Sequence, residues 1–422
     1  MAKQYILKDL KTTYLAQKKD TDFILGKNAD ITVSGKAIGI DATSGHSGRN
    51  LEINGSITAD MTSGIGISIG QKDGDGGGRL DIGSTATITG AYGVINVASG
   101  EIITNNGTLS ALGGIASISA GGRLVNHGQI YGTDTAVSAI LEQRVINDGT
   151  LAGGKVGLYA AGKSSDHSLV SNAGEITGGE MGIMCGGETG AIVEIINTGK
   201  ITGTTSAIHV FEGLTTQIVR NRGELSGGVY LGGGNDIFDG RGGTVGDQVA
   251  GGDNNDTYII DSGLMPLYET ANGGLDTVRS AISWTLGDNF ENLALIGKND
   301  LAATGNALAN KLVGNIGANK LYGMDGMDSL SGGAGNDKLT GGAQMDLFVF
   351  RQNFDRDHIL DFTDGLDQID LRTFAGIDSF DDISGRMKQE GSNVVIRFGH
   401  GDVLSIDNEQ LADIGSDDFL FG

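Results

Sequence analysis

The sequence predicts an all-β protein: a right-handed parallel β-helix, or solenoid, that continues into a parallel β-roll closed by a C-terminal β cap. Three observations predict it. The 422 residues include 74 glycines and one proline, Pro266; the N-terminal half repeats every 21 to 25 residues; and part of the C-terminal half repeats every nine. Glycine at this frequency means many tight turns. Hydrophobic residues make up 38% of the chain but aromatics only 5%. A core must therefore be built from Ile, Val, Leu and Ala in thin layers, which suits stacked coils better than a globule.

The longer repeat is marked by Asn-x-Gly followed by a short apolar run. Its copies are Asn105-Asn106-Gly107, Asn126-His127-Gly128, Asn147-Asp148-Gly149, Asn172-Ala173-Gly174, Asn197-Thr198-Gly199 and Asn221-Arg222-Gly223. A period of this length is one coil of a parallel β-solenoid. After each turn comes a short strand, as at Thr150-Leu151 or Glu175-Ile176, then a Gly-rich corner and a second strand, as at Val137–Ile140, Val156–Tyr159, Gly182–Met184 and Ala207–Val210. Apolar residues alternate there with small or polar ones, which gives each strand one inward face. The recurring Asn is read as structural, because stacked amides hydrogen-bond from rung to rung and tolerate left-handed turns. Looser copies at Leu51–Gly55 and Leu80–Gly83 place the start of the coil near Asp22. Residues 1–21 are then an N-terminal cap and 22–231 the β-helix.

The shorter repeat gives five nonapeptides between Gly305 and Val349: GNALANKLV, GNIGANKLY, GMDGMDSLS, GGAGNDKLT and GGAQMDLFV. Position eight is always apolar (Leu312, Leu321, Leu330, Leu339, Phe348), and position six is Asn310, Asn319, Asp328, Asp337 or Asp346. An earlier block, 232–263, has Asp236, Asp247 and Asp256 at position six, with Gly240 and Arg241 as a two-residue insertion. Residues 264–304 form a β spacer, 305–349 the roll, and 350–422 the C-terminal cap. A flexible Gly-rich linker with solvated acids would not hold both the apolar and the acidic position in strict phase.

These nonapeptides resemble G-G-x-G-x-D-x-U-x, the calcium-binding repeat of the RTX (hemolysin-type) family, in which U is a large apolar residue. The chemistry agrees with the resemblance. Glycines let six residues turn sharply and aim carbonyl oxygens at one point, the Asp adds a carboxylate, and three residues form a strand; oxygen donors alone suit Ca²⁺. The candidate ligands are Asp236, Asp247, Asp256, Asn319, Asp328, Asp337 and Asp346, with the turn glycines Gly323, Gly326, Gly332, Gly333, Gly335, Gly341 and Gly342. Two nonapeptides make one coil, so Asp328 and Asp346 are the best pair. Asp337 stacks on the neutral Asn319, and Asp236 pairs with Asp256 if the insertion is bulged out. Departures at Asn254, Asn306, Leu308, Asn315, Met324, Met327, Gln344 and Met345 reduce the array, which is expected to hold roughly two to four ions. Stacked carboxylates repel without an ion, so binding and folding of this half should be coupled. The Asp73–Gly77 segment is read as a loop, since it lacks the helices and terminal Glu of a helix-loop-helix calcium site.

Charge supports a cation. The chain has 29 basic and 52 acidic residues, net −23, and the excess is concentrated after residue 228, with 12 basic against 31 acidic groups. Nucleic acid and acidic membrane surfaces are poor partners for such a chain. The only cysteine, Cys185, lies in the apolar run Met181–Cys185 and is expected to be a buried hydrophobe. The first twenty residues contain no apolar h-region, and nowhere do eighteen apolar residues run together, so neither a signal peptide nor a membrane span is expected.

The RTX resemblance covers 229–422. Segments 268–304 and 359–374 are similar to the spacer and the cap of serralysin-type C-terminal regions, and the β-helix resembles those of autotransporters. The ending Asp417-Asp418-Phe419-Leu420-Phe421-Gly422 is similar to an uncleaved type I secretion signal. The resemblance implies export by a type I secretion apparatus of a Gram-negative bacterium and folding in extracellular calcium. Serralysins also carry a zinc protease, but the histidines at 46, 127, 167, 209, 358 and 400 form no H-E-x-x-H. Three functions stay open: a non-enzymatic extracellular calcium-binding protein at the cell surface or in its matrix, with a role in adhesion to polysaccharide or host surface; a β-helix enzyme acting on polysaccharide as lyase, hydrolase or epimerase; and a membrane-active toxin.

Overall fold

The computed structural model describes residues 2–6, 14–15, 21–32, 38–42, 50–59, 65–69, 78–97, 102–111, 116–118, 122–140, 144–211 and 213–422. The loop at Asp73–Gly77 lies outside them. The chain forms two compact units, Met1–Gly252 and Asp253–Gly422. The described residues are nearly all β, and their strands pair almost wholly in parallel.

In the first unit each full coil contributes three short strands, and each strand pairs in parallel with its counterpart in the next coil. Asn105, Asn126, Asn147, Asn172, Asn197 and Asn221 stand in register. Two residues earlier on the same strands, Ile103, Leu124, Val145, Val170, Ile195 and Val219 form one buried column. Val137, Leu158, Ile183, Ile208 and Val229 form another on a different wall of the coil. Burying each such side chain contributes about 1.5–3 kcal/mol, so the alternation read in the sequence is the main force holding coil on coil.

The Asn side chains behave as the sequence suggested. Each Nδ2 donates to the Oδ1 of the next Asn at 2.7–2.8 Å, from Asn105 through to Asn221, and all six amides are buried. The parallel ladder extends further toward the N-terminus than the Asp22 boundary, because Ala2–Ile6 already pairs with Thr21–Leu25. Cys185 is buried, and burial pushes its thiol up to about 12, with Asp236 adding to the rise.

The second unit is a two-walled roll. On one wall Tyr258, Val278, Leu293, Leu312, Leu330, Phe348, Ile369 and Phe419 stack in register. On the other, Ala303, Leu321, Leu339, Ile359 and Ile406 do so. Register steps of eighteen residues, as in Lys320↔Lys338 and Ser329↔Leu347, show two nonapeptides per coil. Residues 264–304 supply coils of the same ladders rather than interrupting them. After the repeats the antiparallel strands Met387–Glu390, Asn393–Gly399 and Asp402–Ile406 finish one wall, and Phe419–Leu420 pairs in parallel with Gln368–Asp370 on the other.

Candidate metal centre

Each carboxylate of the roll is placed by the turn that precedes it. In the last three nonapeptides, positions two and four both have positive φ: Met324 and Gly326 before Asp328, Gly333 and Gly335 before Asp337, Gly342 and Gln344 before Asp346. Gly232 and Gly234 repeat the pattern before Asp236, as do Gly252 and Asn254 before Asp256. Met324, Gln344 and Asn254 therefore keep the turn that glycine would favour, at a strain of about 1–2 kcal/mol each.

The turn folds the Asp back over the first glycine of its own repeat. A Cβ on Gly332 would lie 2.2 Å from Asp337 Oδ2, one on Gly341 the same distance from Asp346 Oδ2, and one on Gly323 2.3 Å from Asp328 Oδ2. The other oxygen, Oδ1, accepts from the backbone N–H one coil earlier: Asp328 from Asn310 at 2.7 Å, Asp346 from Asp328 at 2.9 Å, and Asp337 from Asn319 at 2.6 Å. Asp328 thus pairs with Asp346, and Asp337 with Asn319, through one carboxylate oxygen and one amide proton.

Oδ2 of Asp328, Asp337 and Asp346 is buried and has no hydrogen-bond partner. A buried acceptor of this kind costs about 1–3 kcal/mol, and more when charged. Burial, the largest cause, pushes the Asp328 and Asp337 carboxyls up to about 6 and that of Asp346 to about 7, with neighbouring acids adding to it. Orphaned carboxylate oxygens over glycines too crowded to accept a Cβ are the donor set that a hard, oxygen-seeking cation satisfies.

The first two nonapeptides are built differently. None of Asn306, Leu308, Asn315 and Gly317 has positive φ. Asn310 Oδ1 accepts from Asn306 N–H and Asn319 Oδ1 from Asn315 N–H, both at 2.7 Å, and Asn319 Nδ2 donates to Asn315 Oδ1. These turns close on their own amides.

In the earlier block, Asp236 Oδ1 accepts from Gln217 N–H at 2.6 Å. Asp236 lies in the first unit and Asp256 in the second. Asp247 is exposed, and neither Gly243 nor Val245 before it has positive φ. Near the Gly240-Arg241 insertion the buried acid is Asp239, gripped by the guanidiniums of Arg222 and Arg241, which hold its carboxyl far below the usual range despite burial.

Sequence reasoning passed over several acids that the fold brings into the same array. Asn353 and Asp355 have positive φ before Asp357, whose Oδ1 accepts from Asp337 N–H at 2.8 Å and whose Oδ2 is orphaned; burial raises its carboxyl to about 8. Asp367 Oδ1 accepts from Asp346 N–H, and Asp361 takes the N–H groups of Gly341 and Gly342. Asp357 and Asp367 follow Asp337 and Asp346 by twenty and twenty-one residues. Insertions break the period of eighteen, so spacing does not flag them.

A family model of the RTX calcium-binding nonapeptide repeat matches residues 304–339 and 313–347. These residues are RTX repeats. The RTX nonapeptides form a β-roll and bind calcium, so Ca²⁺ is the cofactor of this segment. Solved structures similar to the chain include the AlgE6R3 subunit of the Azotobacter vinelandii mannuronan C5-epimerase, at 26% identity over 30% of this chain and 80% of that one, TM-score 0.25. Another is the extracellular lipase LipA of Serratia marcescens, at 16% identity, over 61% of this chain and 40% of that one, TM-score 0.23. No curated protein matches the chain.

Proposed function

We propose that the protein is a secreted RTX calcium-binding protein without enzymatic activity, which folds its C-terminal half on meeting calcium outside the cell and acts at the cell surface or in its matrix. The orphaned Oδ2 atoms of Asp328, Asp337 and Asp346 carry this reading. Calcium would be held by those three residues, with Asp357 extending the array, and by carbonyls of the glycine turns. Asp236 and Asp256, in turns of the same backbone form, are further candidates; the exposed Asp247 and the self-closed Asn319 contribute least. Low cytosolic calcium would leave the acidic half unfolded for passage through a type I secretion apparatus, and external calcium would then fold it.

The β-helix is the surface proposed to meet its partner. Its polar side chains pair along the rungs, His127 with Asp148 at 2.6 Å, Lys200 with Glu224 at 3.0 Å, and Glu194 with both His167 and Arg220. The partner class proposed for it is an extracellular polysaccharide or a host surface. The test is circular dichroism and calorimetry of the full chain in chelator and in millimolar calcium. A calcium-dependent gain of β signal and a second thermal transition are expected; identical spectra and melts in the two buffers would sink the proposal.

A further inference from the structure

The second unit contains a carboxylate cluster that the nonapeptide period does not generate. Asp256, Glu269 and Asp276 are all buried, at 2%, 1% and 0% exposure, and each offers an oxygen within 4.8 Å of the oxygens of the other two. Glu269 and Asp276 belong to the spacer, outside the residues matched by the RTX model.

The second observation is the state of Asp276. Its Oδ1 accepts from Asp256 N–H at 2.8 Å, and its backbone N–H donates to Glu291 Oε2 at 2.8 Å, so the residue is clamped between two coils. Its Oδ2 is buried and without a hydrogen-bond partner. The other walls are built as well. Tyr258 Oη donates to Glu269 Oε1, and Asn289 Nδ2 holds the Glu269 carbonyl at 2.9 Å. Asn254, at φ 78°, sets the turn that delivers Asp256.

We infer that Asp256 of the first nonapeptide block forms, with Glu269 and Asp276 of the spacer, a calcium site separate from those of the 305–349 roll. Three oxygens no more than 4.8 Å apart surround a point within about 2.8 Å of each, which leaves room for the ~2.3–2.6 Å of a calcium–oxygen bond. All donors are oxygens and none is His or Cys, which disfavours zinc. The site joins the turn before strand Thr257–Ile260 to the coil before strand Thr277–Ser280, so an ion there would fasten the first coils of this unit.

Two measurements on the full chain decide it. Equilibrium dialysis against calcium with elemental analysis should show Asp276→Asn binding one ion fewer than wild type, and Asp346→Asn losing roll ions instead. Crystals of the wild type grown in calcium should show an anomalous peak between the three carboxylates, a readout that needs no variant to fold. A folded Asp276→Asn chain with wild-type stoichiometry, or roll peaks without a spacer peak, overturns this site alone. A spacer peak with no roll peaks would uphold it and overturn the reading of the roll.

Discussion

A single glycine shows how tightly the calcium turns are specified. Gly341 has no room for a side chain, because a methyl would strike Asp346 Oδ2 at 2.2 Å. Gly341→Ala should therefore displace that carboxylate, costing about 1–3 kcal/mol and raising the calcium midpoint of folding roughly tenfold or more; calcium titration followed by circular dichroism reads both. The same carboxylates set a pH dependence. Asp328, Asp337, Asp346 and Asp357 have folded values of about 6 to 8 against an ordinary 3.8. Between about pH 4 and 8 the folded chain in chelator binds more protons than the unfolded chain, so its stability falls as pH rises through that window. Melting in chelator should thus show the roll most stable near pH 4, whereas saturating calcium should flatten the profile over the same range.

Strands in this molecule are too short to persist alone, and what unites them is repetition between coils. In the first unit the amide column adds to the buried apolar columns. Asn172→Ala would leave Asn197 Oδ1 without the Asn172 Nδ2 donor and remove the bonds that Nδ2 makes to the Gly174 and Lys200 carbonyls. The expected loss is about 1–3 kcal/mol, read as a lower melting temperature that added calcium does not restore. In the second unit carboxylates replace amides: Asp276, Asp328, Asp346 and Asp367 each reach back to an N–H of the preceding coil. One column is neutral and self-satisfying; the other is acidic and, on the proposed function, dependent on an ion.

For the molecule as a whole, that difference predicts two stability regimes in one chain. In chelator the protease-sensitive bonds should lie beyond Gly252, and a fragment near the size of the first unit should survive; in calcium both units should resist. Limited proteolysis with mass analysis of the fragments tests this, and equal resistance of both units in chelator would contradict it. The charge distribution agrees, since the acidic excess falls after residue 228. An anionic stack repels itself until a cation enters, so on the proposed function the supply of cation sets when this half is ordered.

Periodicity made most of the architecture legible before any coordinates. A side chain that recurs once per coil must face the same neighbour in every coil, so the Asn column, the apolar columns and the pairs Asp328–Asp346 and Asn319–Asp337 follow from spacing alone. Where insertions or irregular coils intervene, spacing loses its meaning. Asp357 and Asp367 join the array two and three residues out of phase, Asp361 joins it at the start of a turn, Asp247 falls out of it, and the first two nonapeptides close on their own Asn side chains. Glu269 and Asp276 meet Asp256 only because the spacer keeps winding as coils. Sequence determined the repeating unit, since a repeat constrains its own stacking; tertiary structure decided which carboxylates converge, since that depends on the path of the chain between repeats.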